Sequence, residues 1–158
     1  MPNNTLLNPS EFEIDEEICG NRGRNAEKGV AACKRLIEKW TPELETQMLE
    51  AFIALYNDEM YGQWGPDDDE FDAYWPKIKT PEELIKHTGT DVLLYALEDA
   101  VYARSKTNEN KYESQNVDVC VILLLDCPWD ESHGWGAAFV DEKLIKVDGD
   151  IVDCVRID

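Results

Sequence analysis

Apolar positions along the chain keep a helical period in the first half and a strand period in the last third. From Ala26 to Trp40, Val30, Cys33, Ile37 and Trp40 fall on one stripe with Leu36 beside it, while Lys28, Lys34, Arg35 and Lys39 lie largely elsewhere. Thr41-Pro42 then restarts a helix: the threonine hydroxyl can cap it, and proline loses nothing at the first helical position. This second helix is predicted to run to about Asn57 or Met60, with Leu44, Met48, Phe52, Leu55 and Tyr56 as its apolar stripe. A third, short helix is signalled by Thr80-Pro81-Glu82-Glu83, with Thr80 as cap and Glu83 placed for a capping box. Gly89 closes it, and His87 falls in its last turn, where the helix dipole suits a positive ring.

Strand patterns dominate after residue 116. Val117 to Leu125 is β-branched and aliphatic, and from Val119 on it is apolar at odd and even positions alike. Such a strand is covered on both sides and therefore central, with helices on at least one face and other structure on the second. Gly134 to Val140 predicts a second strand, Asp141-Glu142 a turn, and Lys143 to Asp148 a third strand with Ile145 and Val147 on one face. Asp148-Gly149 is a further turn signal, and Ile151 to Ile157 reads as a fourth strand. Upstream, Phe12 and Ile14 alternate with acids as in a short edge strand. Residues 91–104 fit strand or helix, with strand favoured for 91–97, and Ser105 to Gln115 reads as a mobile loop. Gly20 to Asn25 is a basic loop that lacks P-loop spacing and reads as a turn before the first long helix, with Asn25 as its cap. The pattern predicts an α/β or α+β fold over residues 1–158 as one acidic domain, its N-terminal helices packed on a C-terminal antiparallel meander.

Charge changes the picture more than composition does. Thirty-four acids against 15 Lys+Arg leave a net charge of -19. That surface repels nucleic acid and anionic membranes, and it attracts cationic partners. The expected partner is a basic protein, with no nucleic acid and no membrane. No run approaches the ~18 apolar residues of a membrane helix. Met1 to Thr5 lacks the basic start and apolar core of a signal peptide. Cys19, Cys33, Cys120, Cys127 and Cys154 are odd in number, and three lie in apolar or amphipathic patterns, which fits reduced thiols in a cytoplasmic protein.

Two segments carry candidate chemistry. Residues 61–79 form a long aromatic connection containing Asp67, Asp68, Asp69 and Glu70, then Phe71, Tyr74 and Trp75. A loop of this kind is either packed down by its rings or functional. Its carboxylates would serve as a solvated turn, a partner-facing patch or oxygen ligands for calcium, although the spacing departs from an EF-hand. The second segment, Cys127 to Gly136, holds Trp129, Asp130, Glu131, His133, Gly134 and Trp135. As a structural corner, its acids would satisfy backbone N–H groups and Trp129 and Trp135 would cover an end of the sheet. As an epitope, Trp129 and Trp135 would join Asp130 and Glu131 in binding. As an enzyme, the alternative reading, Cys127, Asp130, Glu131 and His133 would form a hydrolase-like centre in which a carboxylate orients the imidazole. No complete catalytic, zinc or dinucleotide signature is present, and neither cofactor nor metal is expected.

This second segment and the following Ala137 to Val147 resemble the C-terminal signature of a family of uncharacterised bacterial domains, approximately Trp-Asp-x-Glu-His-Gly-x-Gly followed by strand, acidic turn and strand. Trp129, Asp130, Glu131, Gly134 and Gly136 match, and His133 matches one residue late because Ser132 intervenes. Some members occur near polymorphic toxin loci, where small acidic proteins act as immunity proteins. The resemblance implies a non-catalytic protein-binding domain of immunity type that occludes a cationic toxin. A structural module with an unrelated partner is the remaining alternative.

Overall fold

The computed structural model describes residues 5–19, 26–106, 111–129, 135–151 and 155–157, without the side chains of 99, 101–106, 111–116 and 155–157. A 3₁₀ turn at Pro9–Glu11 leads into β1 (Glu13–Ile14) and α1 (Glu16–Cys19). The long helices α2 (Ala26–Glu38) and α3 (Pro42–Leu55) follow, and α3 runs on into a π-helical turn at Tyr56–Met60. After the short helices α4 (Phe71–Tyr74) and α5 (Pro81–Thr88), the chain enters β2 (Val92–Lys106), β3 (Lys111–Leu125), β4 (Gly136–Val140), β5 (Lys143–Asp148) and β6 (Val155–Ile157).

Local chemistry sets the helix ends. Thr41 Oγ1 accepts the Leu44 N–H at 3.1 Å, and Thr80 Oγ1 accepts the Glu83 N–H at 3.2 Å. Proline begins both helices, where its missing donor is not needed. Glu83 reaches back one residue beyond the cap, accepting from Lys79 N at 3.3 Å. Gly89 takes φ +77, which a side chain would resist.

The sheet has the order β1-β2-β3-β4-β5, and β6 pairs with β2. From β2 to β5 it is an antiparallel meander, whereas β1 joins β2 in parallel at Leu93 and Leu94. The register puts Leu94 and Ala96 of β2, Val121 and Leu123 of β3, and Ala137 and Phe139 of β4 on one face. The helices cover that face. Gly29 of α2 sits where an added Cβ would lie 3.4 Å from Ala96 Cβ, Trp40 packs on Phe139, and Phe52 of α3 packs on Trp135. Tyr95, Leu97, Cys120, Ile122 and Ala138 line the other face and are also buried. Ile151 lies there, 3.0 Å from the place of a Gly136 Cβ, while Leu123 O blocks that place outright. β3 is thus central and buried on both sides, so its aliphatic run stabilises the fold by roughly 1.5–3 kcal/mol per side chain.

A buried carboxylate anchors the segment before β1. Glu45, only 3% exposed, accepts from Leu6 N at 2.6 Å, Leu7 N at 3.0 Å and Trp40 Nε1 at 3.2 Å.

Four expectations need correction. Residues 105–115 are not a loop throughout: β2 continues to Lys106 and β3 begins at Lys111, paired to one another. The last strand is confined to Val155–Ile157 and joins β2 at Ala100–Tyr102, so the meander stops at β5. A register shift between Ala138 and Phe139 breaks the alternation of β5. Leu144 and Val147 therefore pack on the core, and Ile145 is 40% exposed. The buried faces of the two long helices are turned slightly from the predicted stripes. Gly29 and Ala32 are buried while Val30 and Ile37 are only partly so, and Leu49 and Ile53 are buried where Leu44 and Leu55 are not. The loop and cap expected at Gly20 to Asn25 lie outside the described residues.

Candidate functional site

The first candidate is built where the C-terminal end of α3 meets the segment after β3. The π turn adds a residue to the last turn of the helix, closed by Tyr61 N–H donating to Tyr56 O at 2.8 Å. Tyr56 and Tyr61 thereby face one another edge to face, and both rings meet Trp75. Trp75, fully buried, stacks parallel to Trp129 with ring centroids 6.3 Å apart. Trp129 also packs on Tyr56 at 4.5 Å and on Trp135 at 6.1 Å.

Polar bonds lock the same rings. Trp64 Nε1 donates to Trp129 O at 2.9 Å, Trp129 Nε1 to Tyr74 O at 2.8 Å, and Trp75 Nε1 to Trp64 O at 2.7 Å. Tyr56 Oη donates to Pro76 O at 2.6 Å. Trp75 and Trp129 thus bury their rings and still satisfy their donors, the condition for burying tryptophan cheaply. The connection 61–79 is packed down by its rings.

That packing carries the acidic turn. Asp67, Asp68, Asp69 and Glu70 are all exposed, next to Trp64, which is itself 40% exposed. Asp68 Oδ1 accepts from Glu70 N at 3.0 Å, and Asp68 O accepts from Phe71 N at 3.0 Å, so the turn runs directly into α4. Among the described residues no group of three or more His, Cys, Asp or Glu side chains is placed to hold a metal ion.

The other expected site residues fall as follows. Trp129 and Trp135 are 5% and 2% exposed, so their rings face the core. Trp135 Nε1 is buried and has no hydrogen-bond partner among the described residues. Cys127 is buried at the end of β3. Asp130, Glu131 and His133 lie outside the described residues. His87 is exposed, its ring centroid 6.0 Å from that of Trp129.

Cys33 and Cys120 are poor nucleophiles. Burial pushes Cys120 up to about 12, and burial followed by the neighbouring Cys19 does the same to Cys33. Burial, helped by Cys120, also lifts Tyr95 to about 12. Above pH 9 the unfolded chain releases these thiol protons while the fold retains them, and tyrosine follows above pH 10. The fold then binds more protons, so its stability falls as pH rises through 9 towards 12, by about 1.4 kcal/mol per pH unit for each group. Urea titrations at steps from pH 8 to pH 11 are expected to show that loss. An unchanged midpoint at pH 11 would contradict it.

A second candidate was not foreseen in the sequence. A cleft of about 310 Å³ lies between α2 and the far end of β3 and β4, bounded by Lys28, Arg35, Leu36, Val119 and Phe139. It sits beside Val140, at the end of β4 remote from Trp135. Lys28 Nζ bridges Asp118 at 2.7 Å and Glu98 at 3.6 Å, and Arg35 Nε bridges Glu142 at 3.2 Å. The β4–β5 turn holds Asp141 at φ 51 and Glu142 at φ 59, a left-handed pair that normally favours Asn-Gly. The turn at Asp141-Glu142 was legible in the sequence. The cleft beside it was not, because it depends on β3 outrunning β4.

No helix among the described residues is long and apolar enough to cross a membrane. No curated protein and no solved structure matches the chain. One family model does match, over residues 4–153, and that span takes in both long helices and the meander from β2 to β5. The chain belongs to the DUF6985 family, described as a domain of unknown function.

Proposed function

We propose that this chain is a non-catalytic protein-binding domain whose acidic surface engages a basic partner. The observation that carries the reading is the turn Asp67 to Glu70, four exposed carboxylates in succession held on a packed aromatic base. A pre-ordered patch loses little conformational entropy on binding, and its charge steers a cationic partner into place. Trp64, exposed beside the turn, offers apolar contact area where charge alone gives modest affinity. A cationic toxin occluded at its active-site rim is one partner of this chemistry, in keeping with the net charge of -19.

The test is capture of the native partner from cell extract by wild type and by a variant carrying Asp67→Asn, Asp68→Asn, Asp69→Asn and Glu70→Gln. Asparagine at 68 keeps the oxygen that accepts the Glu70 N–H. At low salt the variant is expected to associate at least about tenfold more slowly, and the gap should close as salt rises. Equal capture at low salt would refute the assignment of this turn.

A further inference from the structure

The far end of β3 is an open edge. β4 pairs with β3 only from Leu124 to Val121 before the chain turns away at Asp141. β2 stays paired with β3 out to Lys111, so the strand continues well beyond its last β4 partner. Among the described residues nothing pairs with β3 on that side below Val121. The direction of its free groups follows from alternation. Leu125 N–H donates across this same edge to Trp135 O, and the register of β3 is unbroken from there to Val117. The backbone N–H and C=O of Val119 and Val117 therefore face the open side. Beside them lies the 310 Å³ cleft, floored by Val117, Val119, Val121 and Phe139.

We propose that this edge and cleft accept an extended segment of a basic partner as an added strand, continuing the sheet where β4 leaves it. This goes beyond the acidic turn, which belongs to the other end of β4, and does not depend on it. An added strand alternates its side chains. One set lies on the valine floor, where apolar groups fit. The other meets a rim of three acids and two cations, in which Asp118 is paired with Lys28, Glu142 with Arg35, and Asp141 is exposed. Charge selects the occupant. A second copy of this chain would bring another -19 to the same edge, whereas a segment alternating apolar and basic residues complements both floor and rim.

The probe is a short synthetic peptide of alternating lysine and valine, titrated against the full chain by fluorescence anisotropy and by amide NMR. Binding is expected to shift and protect the Val117 and Val119 amides. N-methylation of alternate peptide residues leaves charge unchanged and removes the strand hydrogen bonds, so Kd should rise at least about tenfold. Val117→Pro should do the same, since that N–H faces the open side and its loss spares the β2 ladder. Absence of binding, or equal binding of the N-methylated peptide, would overturn the proposal. So would loss of peptide binding in the variant neutralised at Asp67 to Glu70, a result that would leave the acidic-turn reading standing.

Discussion

Glu45→Ala is expected to lower the unfolding free energy by about 3–5 kcal/mol, because it strands buried donors that alanine cannot satisfy. The Glu45 carboxylate accepts from two successive backbone amides, Leu6 and Leu7, and from the Trp40 indole. Leu7, 1% exposed, is seated in the core by those bonds, and Trp40 joins Phe12 to Phe139. One side chain on α3 therefore fixes the segment before β1, the link between the long helices, and a ring over the sheet. Glu45→Gln keeps one acceptor oxygen and should lose about half as much. Urea unfolding measures both, and amide exchange at Leu6 and Leu7 should quicken first. A Glu45→Ala protein within about 0.5 kcal/mol of wild type would show that these bonds do not organise the core.

Trp129→Ala carries the second large effect, again about 3–5 kcal/mol, from the cavity left by a buried indole. Its consequences reach further than its volume. Trp129 touches Tyr56, Trp75 and Trp135, its Nε1 holds Tyr74 O, and its carbonyl holds Trp64. Trp129→Phe retains much of the ring and loses the bond to Tyr74, so its loss should be smaller, about 1–2 kcal/mol. Both variants should also loosen the Asp67 to Glu70 turn, visible as faster amide exchange at Glu70 and Phe71. An unaltered exchange rate there, with stability lost as expected, would separate the acidic turn from its aromatic base.

Much of the fold was legible because its signals are local. Thr41-Pro42 and Thr80-Pro81 name their own helix starts, and the unbroken aliphatic run of β3 names its central place. What escaped notice depends on partners distant in sequence. The polar stretch around Ser105 is strand only because β2 and β3 pair to one another, a tertiary support that composition does not show. Alternation alone puts Ile145 on the face of Val147, and the register shift opposite Ala138 and Phe139 removes it. Trp129 and Trp135, aromatics flanked by acids, fit either cover for an end of the sheet or a binding surface. Their burial comes from Tyr56, Trp75 and Phe52, contributed by a helix and a loop far upstream. The acids of residues 67–70 and a loop packed down by its own rings could be read from the sequence, but the part of Trp129 in holding that loop could not.

Strand β2 is gripped on one edge by residues 13–14 and again by residues 155–157. A chain emerging from a ribosome can assemble its helices early, yet that edge stays half-sealed until residues 155–157 have cleared the exit tunnel. A translation pause between β5 and that point would therefore prolong the interval in which an unfinished sheet invites chaperones or other nascent chains.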